Sequence, residues 1–229
     1  MLKDTLRSWF GQSGEAAAAA PALSIAARAP KALPAPYLRT SHALEQFFQD
    51  LSGREGLRIL DLSGASQANL NFLMQYGHQL YCEDFVSTME TVFGKGPAFY
   101  ENQGNEALME QFLEQTFASL HGPFDGALVW DTLQFLQSPL LDHAVGHLNR
   151  LMEPQSLIYS FFCSNDKLPA LPVNSYRLES SKSIRVIPRG ELPMSQIQTN
   201  RGIERTFSDF NSVKFFLTRE HLREVLVRR

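Results

Sequence analysis

The sequence is poor in cysteine, in net charge and in long apolar runs, and each shortage excludes a class of protein. Two cysteines, Cys82 and Cys163, are too few for a disulfide framework and favour a reducing, cytoplasmic setting. A formal charge of -3 over 229 residues gives no general attraction to nucleic acid or to an anionic membrane surface. No apolar run reaches the roughly 18 residues that a membrane-spanning helix needs. With 44% hydrophobic residues, the chain has ordinary globular composition.

The first 36 residues differ from the rest. Residues 1–10 (MLKDTLRSWF) form a short helix in our prediction, and the Ala/Pro-rich stretch after them is a flexible linker without an apolar face. The short helix is either a frayed terminus or a docking segment for the domain or a partner. Glu15 stands just before the alanine run and Pro21 ends it, which disfavours a secretory signal. We therefore expect an arm over 1–36 and one domain over 37–229.

Helical and strand patterns alternate from Thr40 onward. The predicted strands are Leu57–Leu62, His78–Cys82, a weak one at Ala98–Glu101, Phe124–Trp130 and Leu157–Cys163. Strands separated by helices of this length pair in parallel, because each crossover returns to the same sheet edge. Continuous apolar strands also indicate that both faces of the sheet are covered. The pattern predicts a doubly wound α/β fold.

The last third of the chain changes character. Residues 165–197 carry four prolines with little periodicity and are predicted to be an irregular excursion. A helix near Asn200–Phe210 then precedes the strands Val213–Leu217 and Leu222–Val227, whose short connection makes them antiparallel. The whole prediction is a mostly parallel, seven-stranded sheet with a C-terminal antiparallel pair. If the strand order begins 3-2-1-4-5, Cys82 and Cys163 lie three strand steps apart, beyond disulfide reach, and are two free thiols.

Small and acidic residues follow the strands at the edge where such sheets bind ligands. The first strand runs into DLSGASQANLNFL, a small-residue turn that lets a ligand approach the backbone and a helix N-terminus. Glu83 and Asp84 follow the second strand about 20 residues later, where a carboxylate can bind a ribose diol. Asp84 alternatively caps the next helix. Asp131 ends the fourth strand beside the same crevice, where it faces a cofactor or orients the turn at Trp130.

Over about residues 40–229 this arrangement resembles the class I S-adenosylmethionine-dependent methyltransferases. ILDLSGASQANLNFL stands at the family's glycine-rich loop, YCEDF at its ribose-binding acidic position, and FDGALVWDTLQFL with NRLMEPQSLIYSFF at its fourth strand, fourth helix and fifth strand. The resemblance implies a Rossmann-like methyltransferase fold with S-adenosylmethionine as cofactor. The cofactor-binding residues that it implies are Asp61, Ser63, Gly64, Ala65, Glu83, Asn102 and Asp131.

The loop departs from the family pattern, because Ser63, Ala65 and Gln67 stand where the family commonly has glycine. Two functions therefore stay open. One is a methyltransferase that acts on a small molecule or a protein side chain, with residues 165–197 forming a wall of the substrate site. Such an enzyme aligns its substrates and requires no catalytic triad or metal. The other is a catalytically silent domain of the same fold that serves as an interaction or regulatory module. Nicotinamide-dependent oxidoreduction is disfavoured because G-x-G-x-x-G is missing after the first strand. His143 and His147 share a helix face, but no carboxylate or cysteine pattern completes a metal site.

Overall fold

The computed structural model describes residues 33–194, 196–218 and 221–229. The predicted helix over 1–10 and almost all of the predicted linker lie outside these residues. Residues 33–36 have no regular structure and lead directly into the first strand. None of the helices within the described ranges combines the length and the apolar character needed to cross a membrane.

Nine strands and seven α-helices alternate along the described chain. Their bounds are β1 Tyr37–Thr40, α1 His42–Leu51, β2 Arg58–Asp61, α2 Gln67–Gln75, β3 Gln79–Cys82, α3 Phe85–Phe93, α4 Ala98–Asn102, α5 Glu106–Phe117, β4 Phe124–Trp130, α6 Leu140–Leu151, β5 Met152–Cys163, β6 Ala170–Ser180, β7 Ser183–Pro193, α7 Asn200–Thr206, β8 Ser212–Leu217 and β9 Leu222–Arg228. A short 3-10 turn, Thr132–Phe135, follows β4.

The main sheet has six strands in the order β3-β2-β4-β5-β9-β8. The first four pair in parallel, and β9 runs antiparallel to both of its neighbours. This confirms the predicted parallel strands and the antiparallel C-terminal pair. Cys82 and Cys163 end β3 and β5, three steps apart, and both thiols are free.

The predicted third strand at Ala98–Glu101 is wrong, so the sheet has six strands and not seven. These residues form the short helix α4, and Phe99 is fully buried in edge-to-face contact with Phe93 of α3. Aromatic residues favour strands only where they pack on a pleated surface. Here the packing partner is a helix, and tertiary contact decides the local structure.

The prediction of an irregular segment over 165–197 is also wrong. β6 and β7 form a long antiparallel hairpin, and β1 joins it in a separate three-stranded sheet of order β1-β7-β6. Proline is tolerated at sheet edges and at bulges, where its missing N–H is not needed. Pro172 lies in the edge strand β6, Pro188 lies beside a register shift, and Pro193 is the last residue of β7.

Two apolar layers cover the main sheet, one on each face. One layer packs the sheet against α3, α5, α6 and α7, and the other packs it against α1, α2 and the three-stranded sheet. Ser41 caps α1 by accepting a hydrogen bond from the amide of Leu44 at 3.0 Å, and Asn105 caps α5 in the same manner. The fold is α/β, with a mixed six-stranded sheet covered on both faces.

Candidate functional site

Asp61 ends β2 at the carboxyl edge of the parallel strands and is fully buried. One carboxylate oxygen accepts hydrogen bonds from the Ser63 amide at 2.9 Å, the Ser63 hydroxyl at 2.8 Å and the Trp130 indole N–H at 2.7 Å. The other accepts from the side-chain amide of Asn69 at 2.6 Å. Burial raises the pKa of Asp61, and the bonds from Trp130, Ser63 and Asn69 oppose that rise. Asp61 therefore joins the turn after β2, α2 and the end of β4 through its hydrogen bonds.

The turn after β2 folds back onto the end of β3. The Gly64 amide donates to the carbonyl of Glu83 at 3.1 Å, and Ser63 and Asp84 form an isolated bridge. Gly64 has a φ of 85°, and a Cβ there would lie 3.1 Å from a carboxylate oxygen of Asp84. Both facts require glycine at this position. Ser66 then caps α2 through the Asn69 amide at 3.3 Å.

Glu83 and Asp84 follow β3, and their side chains make different contacts. Glu83 is half-buried, and its carboxylate accepts a hydrogen bond from the Thr88 hydroxyl at 3.4 Å. Partial burial raises the pKa of Glu83, the Thr88 hydrogen bond opposes this, and the charge of Asp84 adds to it. Asp84 caps α3 by accepting from the Ser87 amide at 3.0 Å, which confirms its predicted cap role.

An aromatic pair links β4 to the hairpin. Trp130 is fully buried, has a φ of 57° and stacks on Tyr176 with ring centroids 4.8 Å apart and planes 12° apart. A bulky residue in the left-handed region is uncommon, and such outliers concentrate at functional sites. Since Trp130 also donates to Asp61, contacts run unbroken from the turn after β2 to Tyr176 of β6.

Asn69 makes the second connection to the hairpin. Its side-chain amide donates to the carbonyl of Tyr176 at 3.2 Å, and its side-chain oxygen accepts from the amide of Leu178 at 2.8 Å. Asn69 is fully buried. It thereby holds β6 across the carboxyl end of β2. Sequence reasoning did not find this residue, because a polar side chain in a short helix carries no signal of a partner more than 100 residues away.

A cavity of about 320 Å³ opens at the carboxyl ends of β4 and β5, under the three-stranded sheet. Asp131 lines it. The predicted site residues of the turn, Ser63 to Ala65, do not line it, and neither does Glu83. Asp131 is 3% exposed, and its carboxylate accepts from the side-chain amide of Gln134 at 3.2 Å. Burial raises the pKa of Asp131 to about 7, against the opposing effect of a hydrogen bond with the Tyr176 hydroxyl.

Arg39 of β1 also lines this cavity and is held by a buried ion pair. Its guanidinium meets the carboxylate of Glu224 at 2.5 Å, with both side chains at most 2% exposed. The guanidinium lies 4.7 Å above the ring of Phe161, and the second Glu224 oxygen accepts from the Ala43 amide at 3.3 Å. The sequence pattern did not single out Arg39, since its partner lies 185 positions away.

Asn102 lies apart from this arrangement in its contacts. It ends α4, and its side-chain amide donates to the carbonyl of Phe93 at 2.9 Å, which ties α4 to α3. Its predicted adenine contact depended on a preceding third strand, and a helix stands there instead.

His143 and His147 line a groove between α5 and α6 together with Glu106, Glu110 and Glu114. Within the described ranges, no group of three or more His, Cys, Asp or Glu side chains could hold a metal ion.

The donor and acceptor groups at the carboxyl edge fit S-adenosylmethionine. Glu83 presents a partly exposed carboxylate suited to ribose hydroxyls. Ala65 and Gln67 are exposed at the start of α2, where the first amides have no intrahelical acceptor and suit a carboxylate. Asp61 and Ser63 are buried and hydrogen-bonded to each other, so they shape the turn.

Comparison with known proteins gives a likeness of fold. No protein-family model matches the sequence, and no curated protein matches it. Many of the similar solved structures are S-adenosylmethionine-dependent methyltransferases. One is the 1,6-didemethyltoxoflavin-N1-methyltransferase of Burkholderia thailandensis with bound 1,6-didemethyltoxoflavin and S-adenosylhomocysteine, at a TM-score of 0.44 and 13% identity over 82% of this chain and 76% of that one.

Another similar structure is the magnesium protoporphyrin IX methyltransferase of Synechocystis PCC 6803 with bound S-adenosylmethionine. Its TM-score is 0.44 and its identity 12%, over 81% of this chain and 76% of that one. Likeness at this level assigns neither a substrate nor an activity to this chain.

Proposed function

We propose that this protein is an S-adenosylmethionine-dependent methyltransferase. The observation that carries the proposal is the sheet order: β3, β2 and β4 are adjacent parallel strands, and their carboxyl ends bring Glu83, the turn at Ser63–Ala65 and Asp131 to one edge. In open α/β sheets this edge is where ligands bind. The antiparallel pairing of β8 with β9 agrees with the C-terminal strand pair predicted from the sequence.

Each part of the edge has a defined task in this proposal. The Glu83 carboxylate accepts hydrogen bonds from the ribose hydroxyls, and the N-terminal turn of α2 donates to the carboxylate of the cofactor. Asp61 holds the turn in place through its bonds to Ser63, Trp130 and Asn69. The bound cofactor supplies an electrophilic methyl group on a sulfonium. The protein then has to align an acceptor with it, which is catalysis by positioning.

Calorimetric titration with S-adenosylhomocysteine tests the cofactor assignment without a known acceptor. The wild-type protein should bind it, and Glu83→Ala should weaken binding by roughly 10- to 100-fold, because hydrogen bonds to a charged group contribute about 1.5–3 kcal/mol. Glu204→Ala is the matched control, since Glu204 is an exposed carboxylate on α7 outside this edge. NAD serves as the ligand control.

Two results would contradict the proposal. If the wild-type protein binds neither S-adenosylmethionine nor S-adenosylhomocysteine at millimolar concentration, the fold serves another purpose, and a catalytically silent interaction module becomes the better account. If the wild-type protein binds but Glu83→Ala binds equally well, the ribose assignment is wrong.

A further inference from the structure

The cavity at the ends of β4 and β5 combines apolar walls with a small set of buried polar groups. Leu168, Pro172, Val186 and Leu222 supply aliphatic surface, and the ring of Phe161 supplies an aromatic one. Its volume of about 320 Å³ is at the lower end of the range for small-molecule sites. A cavity of this size and character suits a compact organic molecule and is too small for a folded protein segment.

The positive charge in the cavity is already balanced. Arg39 is the cation that lines it, and the buried carboxylate of Glu224 neutralises that cation at 2.5 Å. A buried ion pair of this kind cannot give up its partner without a large free-energy cost. An anionic ligand would therefore gain little from Arg39, and a neutral ligand is the better fit.

Asp131 is the carboxyl group that lines the cavity. Its carboxylate is held by the side chains of Gln134, Tyr176 and Asn174 and by its own backbone amide. One carboxylate oxygen can accept several hydrogen bonds, as an oxygen of Asp61 does, so a donor from the cavity can join these groups. The Tyr176 ring is in turn fixed by its stack on Trp130. These contacts fix the position of the carboxyl group in the cavity wall.

The protonation state of Asp131 suits a proton acceptor near neutral pH. Burial raises its pKa to about 7, and the hydrogen bond with Tyr176 and the charge of Arg39 lower it by less. His221 and Cys163 are further titratable groups along the cavity wall. A general base is most effective when its pKa lies close to the working pH.

We propose that this cavity is the methyl-acceptor site, that its ligand is a neutral, compact small molecule with an acidic O–H or N–H, such as a phenol or a nitrogen heterocycle, and that Asp131 is its general base. This inference rests on the proposed methyltransferase function and names the class of acceptor for it. It assigns Asp131, which the sequence resemblance implied to be a cofactor contact, to the acceptor instead.

The chemical step balances with the groups named. The O–H or N–H bond of the acceptor breaks, and its proton passes to the Asp131 carboxylate. The electron pair left on the oxygen or nitrogen forms the bond to the methyl carbon, while the carbon–sulfur bond of the sulfonium breaks with its pair going to sulfur. Asp131 afterwards releases its proton to solvent, which restores the carboxylate.

Binding of a matched probe pair tests the inference without turnover. 2-Naphthol carries an O–H donor, and 2-methoxynaphthalene has the same rings without it. Titrated calorimetrically at about pH 8 in the absence of cofactor, the wild-type protein should prefer 2-naphthol by roughly tenfold or more, because a hydrogen bond to a charged acceptor contributes about 1.5–3 kcal/mol. The preference should decrease on going to about pH 6, as Asp131 becomes protonated.

Asp131→Asn removes the charge while keeping the size of the side chain. It should abolish most of the preference for 2-naphthol and its dependence on pH. Asp166→Asn is the matched control, because Asp166 is an exposed carboxylate close in sequence to the end of β5 that does not line the cavity. Leu168→Trp is a second variant, which fills the cavity from a segment without regular structure and should weaken binding of both probes.

The outcomes separate this inference from the proposed function. If the wild-type protein binds S-adenosylhomocysteine but shows no preference between the probes, or if Asp131→Asn keeps the preference, the acceptor assignment is overturned and the cofactor assignment stands. If Leu168→Trp leaves both affinities unchanged, the probes bind elsewhere and the cavity assignment fails. If the preference is present but no cofactor binds, the role in methyl transfer is overturned.

Discussion

Asp61 and Asp131 are buried aspartates at the ends of the neighbouring strands β2 and β4, and their surroundings give them different roles. Asp61 receives hydrogen bonds from Ser63, Trp130 and Asn69, and its oxygens hold the turn after β2. Asp131 accepts hydrogen bonds from Gln134 and Tyr176 and lines a cavity. Both have raised pKa values because burial disfavours the charged form. The difference lies in access, since a ligand could reach Asp131 from the cavity.

Asp131→Asn should make the protein more stable at alkaline pH, relative to the wild type. The pKa of Asp131 is about 7 in the folded chain against an ordinary 3.8, so its favourable contribution is complete below about pH 4 and is lost as pH rises through 7. This difference corresponds to roughly 4 kcal/mol at about 1.4 kcal/mol per pH unit. Urea unfolding of both proteins between about pH 4 and pH 8 measures it. A stability difference that does not change with pH would disprove it.

At the scale of elements, Phe47 of α1 packs on the main sheet directly at Gly126 of β4. A Cβ at Gly126 would lie 2.8 Å from the Phe47 ring and 3.0 Å from a methyl carbon of Ile59. The helix face that carries Phe47 is fully buried there. The contact between α1 and the sheet therefore depends on the absence of a side chain at one position of β4.

Gly126→Ala should lower the free energy of unfolding by about 1–3 kcal/mol, because overfilling a packed core forces side chains out of their preferred positions. Adding Phe47→Leu should return part of that loss, which a double-mutant cycle in urea would detect. Gly146→Ala is the control: it lies in the middle of α6, where a Cβ would meet only the end of the Arg150 side chain at 3.8 Å, and alanine is the better helix former. Equal effects of the two alanine substitutions would contradict this account.

At the scale of the whole described domain, the three-stranded sheet is fastened to the main sheet by a few buried polar bonds. Asn69 binds both Tyr176 and Leu178 of β6, Arg39 of β1 pairs with Glu224 of β9, and the hydroxyls of Ser41 and Tyr159 lie 3.1 Å apart. Buried polar bonds are costly to break on one side only. These connections hold in place the three-stranded sheet that covers the cavity.

Asn69→Ala should weaken the attachment of β6 and β7 to the rest of the domain. It leaves the Leu178 amide and one acceptor of Asp61 without partners and should cost about 2 kcal/mol or more. Hydrogen exchange followed by mass spectrometry should show β6 and β7 exchanging roughly tenfold faster, with the strands of the main sheet less affected. Asn71→Ala is the control, since Asn71 lies exposed on the same helix. Unchanged exchange in β6 would show that Asn69 is not a fastening point.

The main sheet could be predicted from the sequence because its strands are apolar runs set off by helix caps and glycines. Phe124–Trp130 was located to the residue. The hairpin could not be predicted, because its prolines occupy edge and bulge positions that only the sheet order reveals. α4 was missed because Phe99 and Tyr100 favour a strand when their packing partner is unknown.

The candidate site was predictable to the same extent. Asp61, Glu83 and Asp131 follow strands, and parallel pairing places strand ends together. Their partners Asn69, Tyr176 and Arg39 come from other parts of the chain, and local patterns carry no information about such distant contacts. A polar residue's role depends on the groups around it, which only the assembled fold defines.

The position of β9 has a consequence during synthesis. β5 is a strongly apolar strand, and the partner that covers its far edge, β9, follows roughly 60 residues later. At about 5–20 residues per second, the ribosome leaves that edge uncovered for roughly 3–12 s. An open apolar strand edge is a template for association with other chains. The nascent protein should therefore need chaperone protection after β5 emerges, and aggregation should increase most when translation pauses between β5 and β9.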